Sequence, residues 1–249
     1  MIIVKSPREI ALMRTASKIV AEIHARLKEK LAPGMTTLDL DRMAEEWTKE
    51  LGAVPAFKGY RGYQHTLCIS VNEVVVHGIP SEKKVLKEGD IVGLDMGVIY
   101  KGWYGDAART WPVGKVHDEA TRLMDVTEKS LMAGIEAIAP GAYIGDIGHA
   151  VQTVAEGAGY SVVRDFVGHG IGRKLHEDPQ VPNYGRQGKG DRLRVGMVLA
   201  IEPMINAGKP DVYIASDGWT ALTVDGSLSA HFEHSVAVTE QGHEILSVL

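Results

Sequence analysis

Ile91-Val92-Gly93-Leu94-Asp95-Met96-Gly97-Val98-Ile99 and the segment that answers it, Gly102-Trp103-Tyr104-Gly105-Asp106, decide how this chain folds. The first stretch is apolar almost throughout and reads as a buried strand. Lys101-Gly102 supplies a turn, after which the chain returns toward Asp106. Asp95 and Asp106 stand an odd number of positions apart, so one straight strand would place them on opposite faces. A hairpin turning near Tyr100 and Lys101 makes them cross-strand neighbours instead, with Cβ atoms roughly 5–8 Å apart. Two carboxylates that close inside an apolar hairpin repel each other and lose hydration, so they require a cation or a shared proton. Taken singly, each aspartate reads more simply as a strand-end residue facing water. The rest of the chain has to decide.

Outward from the hairpin the sequence reads as helices and short strands. Ser6-Pro7-Arg8-Glu9 combines an N-cap, a proline at the first helical position and a capping-box glutamate. Ile10, Met13, Ala16, Val20, Ile23 and Leu27 follow at helical spacing until Pro33-Gly34. Thr36 starts a second helix with Leu40, Met43, Trp47 and Leu51 on one face. Residues 66–71 and 74–79 read as short strands, and a third long helix is expected from about Asp118 to Ile138.

That helix ends in Ile138-Ala139-Pro140-Gly141, and Leu31-Ala32-Pro33-Gly34 ends the first one 107 positions earlier, counted from Ala32 to Ala139. At the same offset Asp39 answers Asp146, Gly52 answers Gly159, and Leu86–Asp95 aligns with Leu193–Glu202. Matches in one register describe two halves, about 6–112 and 117–239, related by a pseudo-twofold rather than a solenoid. If Glu202 is the counterpart of Asp95, a counterpart of Asp106 should follow on a returning strand. Glu233 fits, provided that Ala207 to about Gly226, rich in Gly, Asp and Pro, is an inserted loop.

Four carboxylates would then converge, and no chain buries a charge of −4 without cations. Two divalent ions bridged by carboxylates neutralise it and form a two-metal hydrolytic centre. His169, in Val167-Gly168-His169-Gly170-Ile171-Gly172, is the best imidazole to complete it, because flanking glycines let the backbone approach closely. His77 and His176 are candidates for substrate contact, while His24, His65, His117, His149 and His243 read as surface or packing residues.

The remaining composition narrows the class. At 249 residues, 45% hydrophobic and 24% charged, the chain buries a large core, and its net charge of −5 gives no reason to expect nucleic-acid binding. Its one cysteine, Cys68, excludes an internal disulfide and fits a reducing compartment. With no signal-peptide pattern and no apolar run of membrane-span length, a cytoplasmic protein is expected. Arg186, Lys189, Arg192 and Arg194 lie in a Gly-rich loop; transient ribosome contact and a solvated loop both account for them, and the sparse charges favour the latter.

Asp95, Asp106, His169, Glu202 and Glu233, in that order, resemble the five metal ligands of the type I methionine aminopeptidases. Val76-His77-Gly78-Ile79-Pro80, Gly168-His169-Gly170-Ile171-Gly172 and Ile201-Glu202-Pro203-Met204 resemble the same family, and the likeness spans nearly the whole chain. It implies an α+β pita-bread fold: a curved antiparallel sheet flanked by helix pairs about an internal pseudo-twofold, in a single catalytic domain over 1–249. It also implies removal of N-terminal methionine from nascent peptides by attack of a water or hydroxide bridging two divalent ions (Co, Mn, Fe or Zn). By the same likeness Asp95 binds one metal, Asp106 and Glu233 bridge both, and His169 with Glu202 holds the other. Glu202 then takes the water's proton, His77 meets the scissile amide nitrogen and His176 donates to the tetrahedral oxygen.

The resemblance further implies a methionine pocket lined by Tyr60, Tyr63, Cys68, His77, Leu175 and Trp219, an apolar slot suited to a thioether. Leu175 stands where bacterial members usually carry Phe, and Phe57 where they usually carry Cys. A monovalent cation held by the carbonyls of Asn72, Val74 and Ser229 is also implied, and a monomer is expected. Two other readings share this fold: an Xaa-Pro aminopeptidase or prolidase with the same ligands, and a metal-free binding module or creatinase-like hydrolase. The first normally carries an extra N-terminal domain, and the second replaces ligand residues that are all present here.

Overall fold

The computed structural model describes residues 1–249. The first half runs α1 (Pro7–Lys30), α2 (Thr37–Glu50), β1 (Val54–Pro55), β2 (Leu67–Val71), β3 (Val74–Val76), β4 (Ile91–Tyr100) and β5 (Trp103–Pro112). The second runs α3 (Asp118–Glu136), α4 (Ile144–Gly157), β6 (Ser161–Val162), β7 (Gly168–Gly170), β8 (Glu177–Val181), β9 (Val198–Ile201) and β10 (Met204–Asn206). It closes with β11 (Val212–Ile214), β12 (Ala221–Thr223), β13 (Ser229–His231), β14 (His234–Thr239) and β15 (Gly242–Ile245).

Each half is built by the same local rules. Ser6 and Glu9 form the expected capping box, and the α1 stripe of Met13, Ala16, Val20, Ile23 and Leu27 is fully buried. Thr36 and Tyr143 each cap a helix, with Asp39 and Asp146 accepting from their backbone amides at 2.9 and 2.7 Å. Gly34 N donates to Leu86 O at 2.8 Å, and Gly141 N donates to Leu193 O at 3.0 Å. Thr36 bridges Val85 just as Tyr143 bridges Arg192, at the offset of 107 read from the sequence. The fold therefore repeats itself hydrogen bond by hydrogen bond. Two separate apolar cores result: one under α1, α2 and β4, and the other under α3, α4 and β9.

Every strand pair is antiparallel. The curved sheet consists of four hydrogen-bonded pieces rather than one. In the first, β4 pairs with β5 along one edge and with β2 and β1 along the other; a second runs β15-β14-β9-β7-β8. The third is β13-β10-β6 and the fourth β11-β12-β3. The pairs Ile201↔His234 and Met204↔His231 keep one register but are interrupted at Glu202-Pro203 and Phe232-Glu233, where Pro203 has no amide proton to donate. Hydrogen bonds knit the halves at the centre: Asp106 N to Ser235 Oγ, Ser235 Oγ to Asp106 O, and Glu233 N to Ala108 O.

Three sequence expectations change in detail. The strand expected over 74–79 stops at Val76, because His77 has a φ of 61° and leaves the extended region. The third helix ends at Glu136, two residues early. The segment Ala207–Gly226 is not a loop: its strands β11 and β12 form a hairpin, and β12 pairs with β3 through Ala221↔Val76 and Leu222↔Val74. Its tip carries Trp219, whose amide donates to Asp217 Oδ1 at 2.8 Å.

Helix α1 packs directly on β5 at Gly105, where an added Cβ would lie 2.5 Å from Ser17 N and 2.7 Å from Ala16 C. Both are helix backbone atoms that cannot swing aside. Gly105→Ala is therefore expected to lower stability by about 1–3 kcal/mol, as overpacking does. Denaturant unfolding checks this, and an unchanged midpoint would show that α1 is free to shift.

Candidate metal centre

The two hairpins place the acidic residues. Across β4 and β5, Asp95 pairs with Ala108 and Asp106 with Gly97, so the aspartates are diagonal neighbours on one face. A Cβ on Gly97 would lie 2.9 Å from Phe57 Cε1, so any larger residue there displaces the Phe57 ring. Glu202 and Glu233 occupy the interruption between the β9–β14 and β10–β13 pairs. His169 is the middle residue of β7, paired with Ala200 on β9.

All five line one cavity of about 190 Å³. Ligand atoms of Asp106, His169 and Glu233 lie within 4.8 Å of one another, and Glu202 Oε1 is 3.4 Å from His169 Nε2. Asp95 Oδ1, Asp106 Oδ1 and Glu233 Oε1 are buried without a hydrogen-bond partner. Buried carboxylate oxygens are rarely left so, and cations satisfy them.

Electrostatics tell the same story. Burial pushes the Asp95 carboxyl up to about 7. Burial, followed by the charges of Glu233 and Asp95, raises Asp106 well above the carboxylate range. Glu202 rises through burial and the charges of Asp95 and Asp106. Glu233 rises through burial, Glu202 and Asp95, partly offset by the Arg109 guanidinium. Burial, then the His176 charge, lowers the His169 imidazole to about 3, so it stays neutral. Its Nδ1 lies 3.0 Å from Gly170 O, an acceptor only, which puts the proton on Nδ1 and leaves the Nε2 lone pair free for a metal.

The model of metallopeptidase family M24 matches residues 11–240. The chain belongs to metallopeptidase family M24. Among curated M24 relatives, methionine aminopeptidase 1 of Bacillus subtilis is 51% identical over 247 residues, covering 99% of both chains. The methionine aminopeptidase of Clostridium perfringens is 53% identical over 249 residues, covering both chains completely. The solved methionine aminopeptidase of Thermotoga maritima superposes with a TM-score of 0.98 at 50% identity, covering 100% of both chains. A prolidase from Pyrococcus furiosus shares the fold, with a TM-score of 0.79 at 24% identity over 99% of this chain and 66% of that one. The pita-bread fold follows, and so does a role for divalent metal in this M24 chain.

Around the M24 centre lie the other residues singled out in the sequence. His77 rests edge-on against Phe166 at 5.3 Å and faces Trp219 at 6.4 Å. Burial, then the charge of His176, lowers its pKa to about 4. His176 stacks against His169 at 4.3 Å, and its Nδ1 lies 2.9 Å from Tyr60 Oη. Tyr63, Cys68 and Leu175 form a small apolar cluster with Ala56 and Phe57, against which Tyr60 and Trp219 pack. Cys68 pairs with Asp95, which explains how a thiol reaches the cavity; burial pushes that thiol well up, so it stays protonated. The inserted hairpin, not a loop, delivers Trp219. Ser229 N donates to Asn72 O at 2.9 Å, which brings those two chain segments together, while Val74 lies on β3. Arg192 folds back on Tyr143 and donates to Gly141 O, whereas Arg186 and Lys189 are exposed.

Six cavity residues have no role in the sequence reading: Arg61, Val76, Phe166, Val167, Met204 and His231. His231 carries a usable signal, since it stands two positions before Glu233, a spacing that on the strand expected there puts both on one face. Arg109 was also missed. It donates to Ala108 O at 2.7 Å and to Glu233 O, holding the Glu233 backbone from behind.

Proposed function

We propose that this chain is a methionine aminopeptidase, a metal-dependent exopeptidase that removes the N-terminal methionine of newly made proteins. One observation carries the reading: an apolar pocket of Phe57, Tyr63, Cys68, Leu175 and Trp219 adjoins five convergent metal-ligand side chains in a single cavity. The whole-length identity to methionine aminopeptidases supports it.

In this reading Asp95, Asp106, His169, Glu202 and Glu233 hold two divalent ions drawn from Mn, Fe, Co and Zn. When bound, such ions polarise the scissile carbonyl and make a water nucleophilic at neutral pH. Asp106 and Glu233, presented from facing hairpins, would each help to hold both ions. Glu202 would accept the water's proton, burial making its carboxylate more basic than an exposed one. Desolvation and the Arg61 charge lower the His176 pKa, and its Nδ1 lies 2.9 Å from the Tyr60 hydroxyl; in this reading the hydroxyl donates there and the imidazole proton sits on Nε2. That N–H is the donor for the oxygen of the tetrahedral intermediate. His77 contacts the scissile amide nitrogen, and Tyr60, Tyr63, Cys68, Leu175 and Trp219 wrap the methionine thioether. Carbonyls of Asn72, Val74 and Ser229 bind a monovalent cation. Residues 1–249 act as a single catalytic domain, monomeric and cytoplasmic, meeting nascent chains at the ribosome; the single buried thiol suits a reducing compartment.

Metal-stripped protein titrated with Mn, Co, Fe or Zn should release methionine from Met-Ala-Ser and leave Ala-Pro-Ala intact. Cleavage before proline would assign the chain to the Xaa-Pro branch instead, and activity on neither peptide would separate the fold from the chemistry.

A further inference from the structure

His231 is 3% exposed and sits on β13, two residues before Glu233. Its Nε2 is buried with no hydrogen-bond partner, although the residue lines the cavity of the five candidate ligands. Buried polar nitrogens are rarely left unpartnered, because the lost hydration is not repaid, so a partner from outside the chain is called for.

The backbone that carries the ring is fixed in place. His231 N donates to Thr110 Oγ1 at 3.0 Å, Thr110 Oγ1 donates to His231 O at 2.8 Å, and the residue pairs with Met204 across β10. Its Nε2 lies 3.8 Å from Glu202 Oε2, beyond hydrogen-bond reach. The other oxygen of the same carboxylate lies 3.4 Å from His169 Nε2. Glu202 thus has an imidazole nitrogen beside each oxygen, at separations natural for donors that converge on a shared cation, where each metal–ligand bond is about 2.0–2.2 Å.

We infer that His231 is a sixth ligand of the centre, its Nε2 reaching the divalent ion that Glu202 holds. This rests on the metal-centre reading above and extends it. The centre then has two imidazoles rather than one. A second nitrogen donor moves its preference toward zinc, cobalt and iron and away from manganese, which suits an oxygen-only set.

The test is titration of metal-stripped, full-length wild type and His231→Gln with Co(II) alone, followed by calorimetry and visible absorption. The variant is expected to lose at least about tenfold in affinity for one of its ions, as even removal of an indirect ligand partner does, and to shift the Co(II) bands. Unchanged affinity and spectrum would overturn the role of His231 while leaving the five-residue centre intact. Wild type that takes up no Co(II) would overturn both readings together. Should the variant fail to fold, hyperfine-shifted imidazole N–H resonances of Co(II)-loaded wild type decide without it. Signals from two histidines support the inference, and signals from one overturn it.

Discussion

Asp106→Ala and Glu233→Ala are each expected to reduce kcat/KM by on the order of 10³-fold or more, equivalent to about 4 kcal/mol of transition-state stabilisation, and to lower bound metal. Both side chains are buried on facing hairpins, with an oxygen that no protein donor satisfies. On the bridging role proposed above, removing either one takes an anion from both metal positions, so the loss should appear in kcat and in metal content together. The sign of the stability change separates this account from a merely structural one. Without cations the clustered carboxylates repel one another, so metal-free Asp106→Asn should unfold a few degrees above metal-free wild type. Added metal should then stabilise the variant much less than wild type, because less binding energy is coupled to the native state. Calorimetric scans with and without metal read both effects. A variant keeping both metals and full turnover would remove Asp106 and Glu233 from the ligand set.

Lys5→Met is expected to be the most damaging change far from the cavity, costing about 3 kcal/mol and lowering the unfolding midpoint by roughly 6–12 °C. Lys5 Nζ meets Glu177 Oε2 at 2.8 Å, and the two side chains are only 1% and 4% exposed. Surface ion pairs contribute little, but removing one member of a buried pair strands the other charge. Glu177 retains the amides of Arg173 and Lys174, which keeps the cost near the lower end of the range for such pairs. The pair ties the N-terminal segment to the residue directly after His176, so the damage should reach turnover as well. Adding Glu177→Gln to Lys5→Met should recover most of the lost stability. A single variant losing under about 0.5 kcal/mol would show that water reaches the pair.

The parts of the site that were legible in the sequence depend on local rules. The Asp95–Asp106 face follows from the position of one turn, and the counterpart of Asp95 follows from an undisturbed spacing of 107 between helix stop and strand. Glu233 required only that the extra residues lie between two strands. What stayed hidden depends on distant pairing. Ala207–Gly226 has the composition of a loop, yet β12 is ordered by β3, which lies in the other half of the chain. No periodicity within the segment announces that partner, so the route by which Trp219 reaches the cavity could not be read. His231 is hidden for a different reason: the repeat points to Glu233 without it, and only the alternation of an expected strand, carried back by two residues, reaches it.

The hydrogen bonds that knit the halves bear on how the protein comes into being. Asp106 N and Ser235 Oγ are 129 residues apart in sequence, and the strand beside each belongs to a different half. Closing a loop that long precedes any reward from the contact, so the seam should form late and slowly. Until it does, neither half owns more than part of the acidic cluster. Capture of metal by the whole cluster should therefore follow closure of the seam, and the rate at which the protein takes up its ions should serve as a clock for the last step of its own assembly.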